Sequence, residues 1–253
     1  MHKITGTIIT LNAEKYIQRA IESLKSICDE VVVLDSESTD STREIALKSG
    51  AKVFVQPFLG DGGQKKEASK FSKNNWIFSM DADEYLDNDL IEFIKRINFN
   101  DDYDSYSFRR KNYCGDEWIK AAGFYPDEVT RLYDKTKVNY DTRADHAAVV
   151  STKKYESTTH IIHNTYESME EWVDKMNFRS SMSAQQLFKD GIKPSSIRPI
   201  TRSIFAFFKK LIIKGGLFQG GNGFKVALTT MFNTYLKYTK LNDLYNKKNN
   251  PNK

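Results

Sequence analysis

Trp76-Ile77-Phe78-Ser79-Met80-Asp81-Ala82-Asp83-Glu84 is the stretch on which the reading of the fold depends. A mostly apolar run ends there in three carboxylates within four positions. Apolar side chains on both faces mark a strand covered on both sides, the kind found in parallel sheets. Asp81 and Asp83 are two apart, so extended backbone points both to the same side. Neighbouring carboxylates repel unless a cation sits between them, and hard oxygen ligands suit Mg2+ or Mn2+. Taken alone, such a pair reads more readily as an acidic turn that caps the following helix.

Upstream of it, residues 3–10, 30–34 and 51–55 read as three further strands. Between them Tyr16, Ile17, Ala20, Ile21, Leu24 and Ile27 recur at helical steps, with Asn12 as the expected cap. A second helix ends before Gly50, and a third is expected over 64–73 with Ala68 and Phe71 inward. Strands alternating with helices predict an α/β fold with a Rossmann-like, mostly parallel central sheet flanked by helices. Ligands collect at the carboxyl ends of such strands. Thr10-Leu11-Asn12, Asp35-Ser36 and Asp81-Ala82-Asp83 all fall at those ends, so three polar clusters are expected on one rim.

Downstream, a helix is expected over 87–97 and strands over 103–109, 129–133 and 158–166. Residues 113–128, rich in Gly, Trp, Tyr and acids, read as a substrate-facing loop. His160 and His163 are three apart on a strand, so they face opposite sides. Ser168-Met169-Glu170-Glu171 is a capping box that opens a long helix ending before Gly191. Two helical segments follow over 197–214 and 224–240, and residues 246–253 are expected to be disordered.

The chain of 253 residues is 40% hydrophobic and 13% aromatic, which excludes a disordered protein and allows one large core. Cys28 and Cys114 form no pairing or metal-binding pattern, as in a reducing compartment. Neither a signal-like leader nor a spanning stretch is apparent, so a cytoplasmic protein is expected. The net charge of +5 hides an asymmetry. From Gly191 onward there are 12 Lys/Arg and one acid, Asp243, leaving 26 basic and 32 acidic residues before it. An acidic body with a basic tail predicts an anionic partner for the tail.

The run Val32-Val33-Leu34-Asp35-Ser36-Glu37-Ser38-Thr39-Asp40-Ser41-Thr42 is more specific than any lone aspartate pair. With Thr10-Leu11-Asn12-Ala13-Glu14 before it and Asp81-Ala82-Asp83-Glu84 after it, the chain resembles the family 2 inverting glycosyltransferases of GT-A fold. More narrowly, it is similar to the bacterial branch that adds β-linked glucose or a related sugar to the lipopolysaccharide inner core. The resemblance continues through Gly63-Gln64-Lys65, Gly123-Phe124-Tyr125-Pro126-Asp127, Arg131-Leu132-Tyr133 and the stretch 161–166. It spans roughly residues 3–240. It implies a GT-A catalytic domain over 1–190, with a nucleotide-sugar half to about 100 and an acceptor half beyond. A basic helical extension over 191–253 follows.

The resemblance also implies roles. Thr10 and Asn12 line the nucleotide pocket, Asp35 accepts from the uracil imide, and Gln64 and Lys65 lie near base and ribose. Asp81 touches ribose and metal, Asp83 binds the Mn2+ or Mg2+ that bridges the phosphates, and His163 is a candidate further ligand. The partners implied are a nucleotide-diphosphate sugar donor and a glycan or glycolipid acceptor. Inversion needs a general base. Relatives carry a His-Glu pair near Asp145-His146-Ala147, and the glutamate falls on Ala147 here. Either Asp145, beside His146, is the base, or the loop is shifted, or activity is compromised; Asp127 and Glu128 are alternatives. Glu37 stands where the family usually has glycine, a strain if the position needs a positive φ.

Ile204, Phe205, Phe208, Leu211 and Ile212 share a helical face from which Arg202, Lys209 and Lys210 point away. Two readings stand for the 191–240 segment: docking to an anionic membrane, on the inner face of the cytoplasmic membrane, or packing on the catalytic domain. No nucleic-acid motif is present, and no nucleic-acid partner is expected. A catalytically silent nucleotide- or glycan-binding homologue is the alternative function. A nucleotidyltransferase is less favoured, since Thr10-Leu11-Asn12-Ala13-Glu14 lacks the glycines of a phosphate loop.

Overall fold

The computed structural model describes residues 3–99, 102–120, 122–141 and 147–249. Strands β1 (Ile4–Thr10), β2 (Glu30–Asp35), β3 (Lys52–Val55) and β4 (Trp76–Asp81) form a parallel half-sheet in the order β3-β2-β1-β4. Helices α1 (Ile17–Lys25), α2 (Thr42–Lys48) and α3 (Asp61–Lys70) connect them. Next come β5 (Glu84–Leu86), α4 (Asn88–Arg96), β6 (Ser105–Cys114), β7 (Glu117–Trp118), β8 (Glu128–Asp134) and β9 (Lys154–Tyr166). These continue the sheet as β4-β8-β6-β9-β5, with β4/β8, β8/β6 and β9/β5 antiparallel. Helices α5 (Met169–Lys189), α6 (Arg198–Phe208) and α7 (Gly220–Asn249) close the chain, with a π turn (Lys209–Ile213) and a 3-10 turn (Gly216–Gln219) before α7.

Of the six periodic positions, Ile17, Ala20, Ile21 and Leu24 are buried on α1, while Tyr16 and Ile27 fall just outside the helix and are partly buried. Gly6 on β1 makes room for Leu24, because a Cβ there would come within 2.9 Å of Leu24 Cδ1. The same cluster takes in Ile8, Val33, Phe78, Phe108 and Leu132. Each such side chain contributes about 1.5–3 kcal/mol on burial.

Four expectations change. Tyr16 occupies the cap position of α1, whereas Asn12 lies in the left-handed region at φ +49°. Helix α3 begins at Asp61, ahead of Gln64, and Phe71 is at its end, partly exposed and stacked on Phe54 at 4.0 Å. The short β5 was not expected, because three residues beginning with a glutamate carry no strand signature. Helix α7 runs to Asn249, so residues 246–249 are helical, not disordered.

The chain packs as two compact units, Met1–Lys111 with Asp127–Asn164, and Asn112–Pro126 with Thr165–Lys253. The division expected at residue 190 does not coincide with them, because α5 packs with the tail. Trp172 and Met176 of α5 share an apolar cluster with Val226 of α7, and the Trp172 ring stacks on Tyr166 at 4.4 Å. Within this second unit α7 starts against the 3-10 turn so closely that a Cβ on Gly223 would fall 1.8 Å from the Gly216 carbonyl oxygen.

Candidate functional site

Strand register brings the three polar clusters together. Thr10 lies opposite Asp35 across β1/β2, and Ile9 opposite Asp81 across β1/β4. The loops after β1 and β2 are stapled by side chains. Asn12 donates its N–H to Ser38 Oγ (2.8 Å) and accepts at Oδ1 from the Thr39 N–H (2.8 Å). The Ala13 N–H donates to Thr42 Oγ1 (2.7 Å), and the Ser41 N–H to Glu14 Oε2 (3.0 Å). The Ser/Thr/Asp run therefore fixes the rim as well as forming it. Glu37 adopts φ +66°, so glutamate pays there the roughly 1–2 kcal/mol of left-handed backbone that glycine escapes.

Thr10 Oγ1 is buried at this rim without a hydrogen-bond partner among the described residues. Asp35 is fully buried, and its carboxylate accepts from the Ser38 N–H (2.9 Å) and the Ser38 hydroxyl. It is the hub of its own loop, with Arg43 Nε 3.8 Å from Oδ1. Gln64, also buried, donates through Nε2 to Ser36 Oγ (3.0 Å), linking α3 to the end of β2. Ser36 was not singled out from sequence.

Lys65 is buried between Asp61 (2.7 Å) and Asp81 (3.0 Å). Arg131, on β8, joins Asp81 Oδ2 (2.6 Å) to Glu84 Oε1 (2.5 Å). Arg110 in turn joins Glu84 (3.1 Å) to Asp127 (2.9 Å). Asp81 thus lies within a continuous chain of ion pairs, Asp61–Lys65–Asp81–Arg131–Glu84–Arg110–Asp127, of which sequence reasoning left Asp61, Glu84, Arg110 and Arg131 without a role. The available signal was a lone charge, Arg131, inside the otherwise uncharged run Val129 to Tyr133. Asp127 and Glu128, alternatives for the base, pair with Arg110 (2.9 Å) and Arg109 (3.5 Å).

Burial alone would raise the Asp81 carboxyl, but the Arg131 guanidinium and Lys65 ammonium outweigh it and hold the group far below the usual carboxylate range. A depressed folded pKa means stabilisation that is complete above the unfolded value of about 3.9 and lost as pH falls below it. Denaturant unfolding from neutral to about pH 3 is expected to show stability falling more steeply for the native chain than for Asp81→Asn. Identical slopes would remove Asp81 as the source.

Asp83 and His163 meet beside this network. Glu84 and His163 are register partners in β5/β9, and the Asn164 N–H donates to the Asp83 carbonyl (3.0 Å). Asp83 Oδ2 lies 3.5 Å from His163 Nε2, both partly exposed. Asp61, Asp81, Glu84 and Asp127 pair with three cations (Lys65, Arg110, Arg131), and with Asp83, next to Glu84 in sequence, the excess is two negative charges, which a divalent ion could offset. Carboxylate and imidazole donors fit such an ion, and the imidazole leans away from Mg2+. Asp83 and His163 could hold such an ion, whereas both Asp81 oxygens already face cations. His160 sits apart from them, with Nδ1 2.7 Å from Asp89. Asp87, Asp89 and His160 bring one ligand atom each within 4.8 Å of one another, a second set that could hold a metal ion, although Asp87 also caps α4 and pairs with Lys111 (2.7 Å).

Asp145 and His146 lie outside the described residues. Ala147 follows them, donating its N–H to Asp61 (3.3 Å), the partner of Lys65. Its side chain packs with the cluster of Tyr140 and Val149.

The sequence pattern of the family described as "Glycosyl transferase family 2" matches residues 7–205. An uncharacterized glycosyltransferase of Rickettsia prowazekii (strain Madrid E) is 38% identical over 265 residues, covering 99% of this chain and 90% of that protein. The lipopolysaccharide core biosynthesis glycosyltransferase LpsC of Rhizobium meliloti (strain 1021) is 29% identical over 265 residues, covering 98% and 95%. Among solved structures, residues 1–349 of S. aureus TarS share 14% identity over 98% of this chain and 92% of that one, with a TM-score of 0.46.

Proposed function

The chain belongs to glycosyl transferase family 2, and from that premise we propose an inverting, metal-dependent transferase that moves glucose or a related hexose from a UDP-sugar to a cell-envelope glycan or glycolipid, such as lipopolysaccharide core. Its α/β sheet, parallel from β3 to β4 with antiparallel β4/β8, β8/β6 and β9/β5 pairs beyond, is a GT-A architecture. The observation that carries the proposal is the rim itself, where Thr10, Asp35 and Asp81 stand side by side with the Asp83–His163 pair next to them. The LpsC relationship motivates the acceptor class.

In this reading the nucleotide lies along the ends of β1, β2 and β4. Thr10 and Asn12 bound the base, and Thr10 Oγ1 gains the partner it lacks. Gln64 and Lys65 approach base and ribose from α3, with Asp35 behind Ser38 shaping the loop. Lys65 and Arg131 fix Asp81 so that its orientation toward the ribose is set before substrate arrives. Asp83 and His163 would hold Mn2+ or Mg2+, which when bound disperses the charge developing on the departing diphosphate. The acceptor oxygen attacks the anomeric carbon on the face opposite the phosphate. As the new C–O bond forms and the sugar–phosphate bond breaks, Asp145 takes the acceptor proton, with His146 beside it. The acceptor is met at the inner face of the cytoplasmic membrane.

Release of UDP from a panel of UDP-sugars, with Mn2+ and with chelator, tests the reading. Metal-dependent turnover that Asp145→Asn abolishes without weakening UDP binding is expected. Ala147 motivates the second reading, since its methyl packs among apolar groups and takes no proton. UDP binding with no turnover of any donor would establish that silent homologue instead.

A further inference from the structure

Helix α6 is built the wrong way round for a helix whose apolar face packs on a core. Its buried residues are Pro199 and Ser203, while Ile200, Ile204, Phe205 and Phe208 face solvent. The outward stripe continues through the π turn at Ile212 (60% exposed) and into the 3-10 turn, where Phe218 is 88% exposed. Exposed apolar runs of this kind mark interaction surfaces. We propose that α6 and the turns after it form a docking surface for an anionic lipid bilayer, with the apolar stripe entering the headgroup boundary and the flanking lysines and arginines meeting the phosphates.

Charge selects this occupant. No Asp or Glu occurs between Gly191 and Asn242, a span with nine Lys/Arg. Arg202, Lys209 and Lys214 are exposed and belong to no ion pair among the described residues. Lys210 reaches the Ala122 carbonyl (2.7 Å), and burial followed by repulsion from Lys214 and Lys209 pushes its ammonium pKa down. A crowded set of cations beside an apolar stripe is what a basic interfacial helix presents to anionic lipid. A second copy is the poorer occupant, because a two-fold contact brings the same lysines face to face. No helix among the described residues is long and apolar enough to cross a membrane, so the surface lies on the bilayer.

Flotation of the full chain tests this, using vesicles of phosphatidylcholine with or without phosphatidylglycerol, at low and high salt. The chain is expected to float with phosphatidylglycerol vesicles at low salt and much less at high salt. Lys209→Glu with Lys214→Glu should weaken binding at least about 25-fold, from about fivefold per basic residue. Ile204→Ser with Phe205→Ser should lower it at least about tenfold while leaving the melting temperature unchanged, since both side chains are solvent-facing. No flotation with anionic vesicles at low salt, or equal flotation of both variants, overturns the proposal. So does a dimer in sedimentation equilibrium that Ile204→Ser with Phe205→Ser dissociates, which would assign the face to a second copy. Flotation needs no turnover, so failure here and failure of the sugar-transfer reading are separate results.

Discussion

Arg131→Met is expected to destabilise the fold by about 3–5 kcal/mol, the cost of stripping one partner from a buried ion-pair network. Arg131 is buried and serves Asp81 and Glu84 at once. Methionine matches much of the volume, so packing is largely kept and the loss is electrostatic. Glu84 keeps Arg110 (3.1 Å) and Asp81 keeps Lys65 (3.0 Å), which holds the loss below that of two orphaned charges. The deficit should shrink with acid, because Asp81 without Arg131 takes up its proton at a higher pH than in the native chain. Urea unfolding at neutral pH and below about pH 4 measures both effects. A deficit under about 1 kcal/mol at neutral pH would mean that the network is solvated rather than buried. Arg131→Lys should not rescue it, since one ammonium lacks the planar fork that spans two carboxylates.

Asp83→Ala should have the opposite profile, with transfer reduced about 1,000-fold or more and stability changed by about 0.5 kcal/mol at most. Asp83 is partly exposed and 3.5 Å from His163, whereas Asp81 and Glu84 share Arg131. Its removal would take away a carboxylate proposed to hold a divalent ion while leaving the strand pairing of β5 and β9 in place. Initial rates of UDP release and a thermal melt, run on the same preparation, separate the two effects. Activity within tenfold of the native chain would transfer the metal role to other residues. A large fall in stability would make Asp83 structural.

The parallel half of the sheet was legible because four apolar runs alternate with helical periods, and convergence of their polar ends follows from parallel topology. What joins the rim electrostatically was not. Arg131 lies 50 residues from Asp81 and 47 from Glu84, and no local pattern reports which distant guanidinium will neutralise a strand-end acid. Asp35 illustrates a second limit. Its strand-end position was readable, but its enclosure by Ser38 depends on how the loop closes. Periodicity has a third limit in α6. It says which residues share a face, and only packing says whether that face is turned in or out.

We propose that the carboxyl ends of β1, β2 and β4 form a metal-dependent nucleotide-sugar site. Calorimetric titration of UDP into the native chain and Asp83→Ala, each with Mn2+ and with chelator, tests it most directly. Binding to the native chain with Mn2+ is expected, with a loss of at least about tenfold on chelation or on Asp83→Ala. UDP binding of equal strength in all four titrations, or none in any, would contradict it.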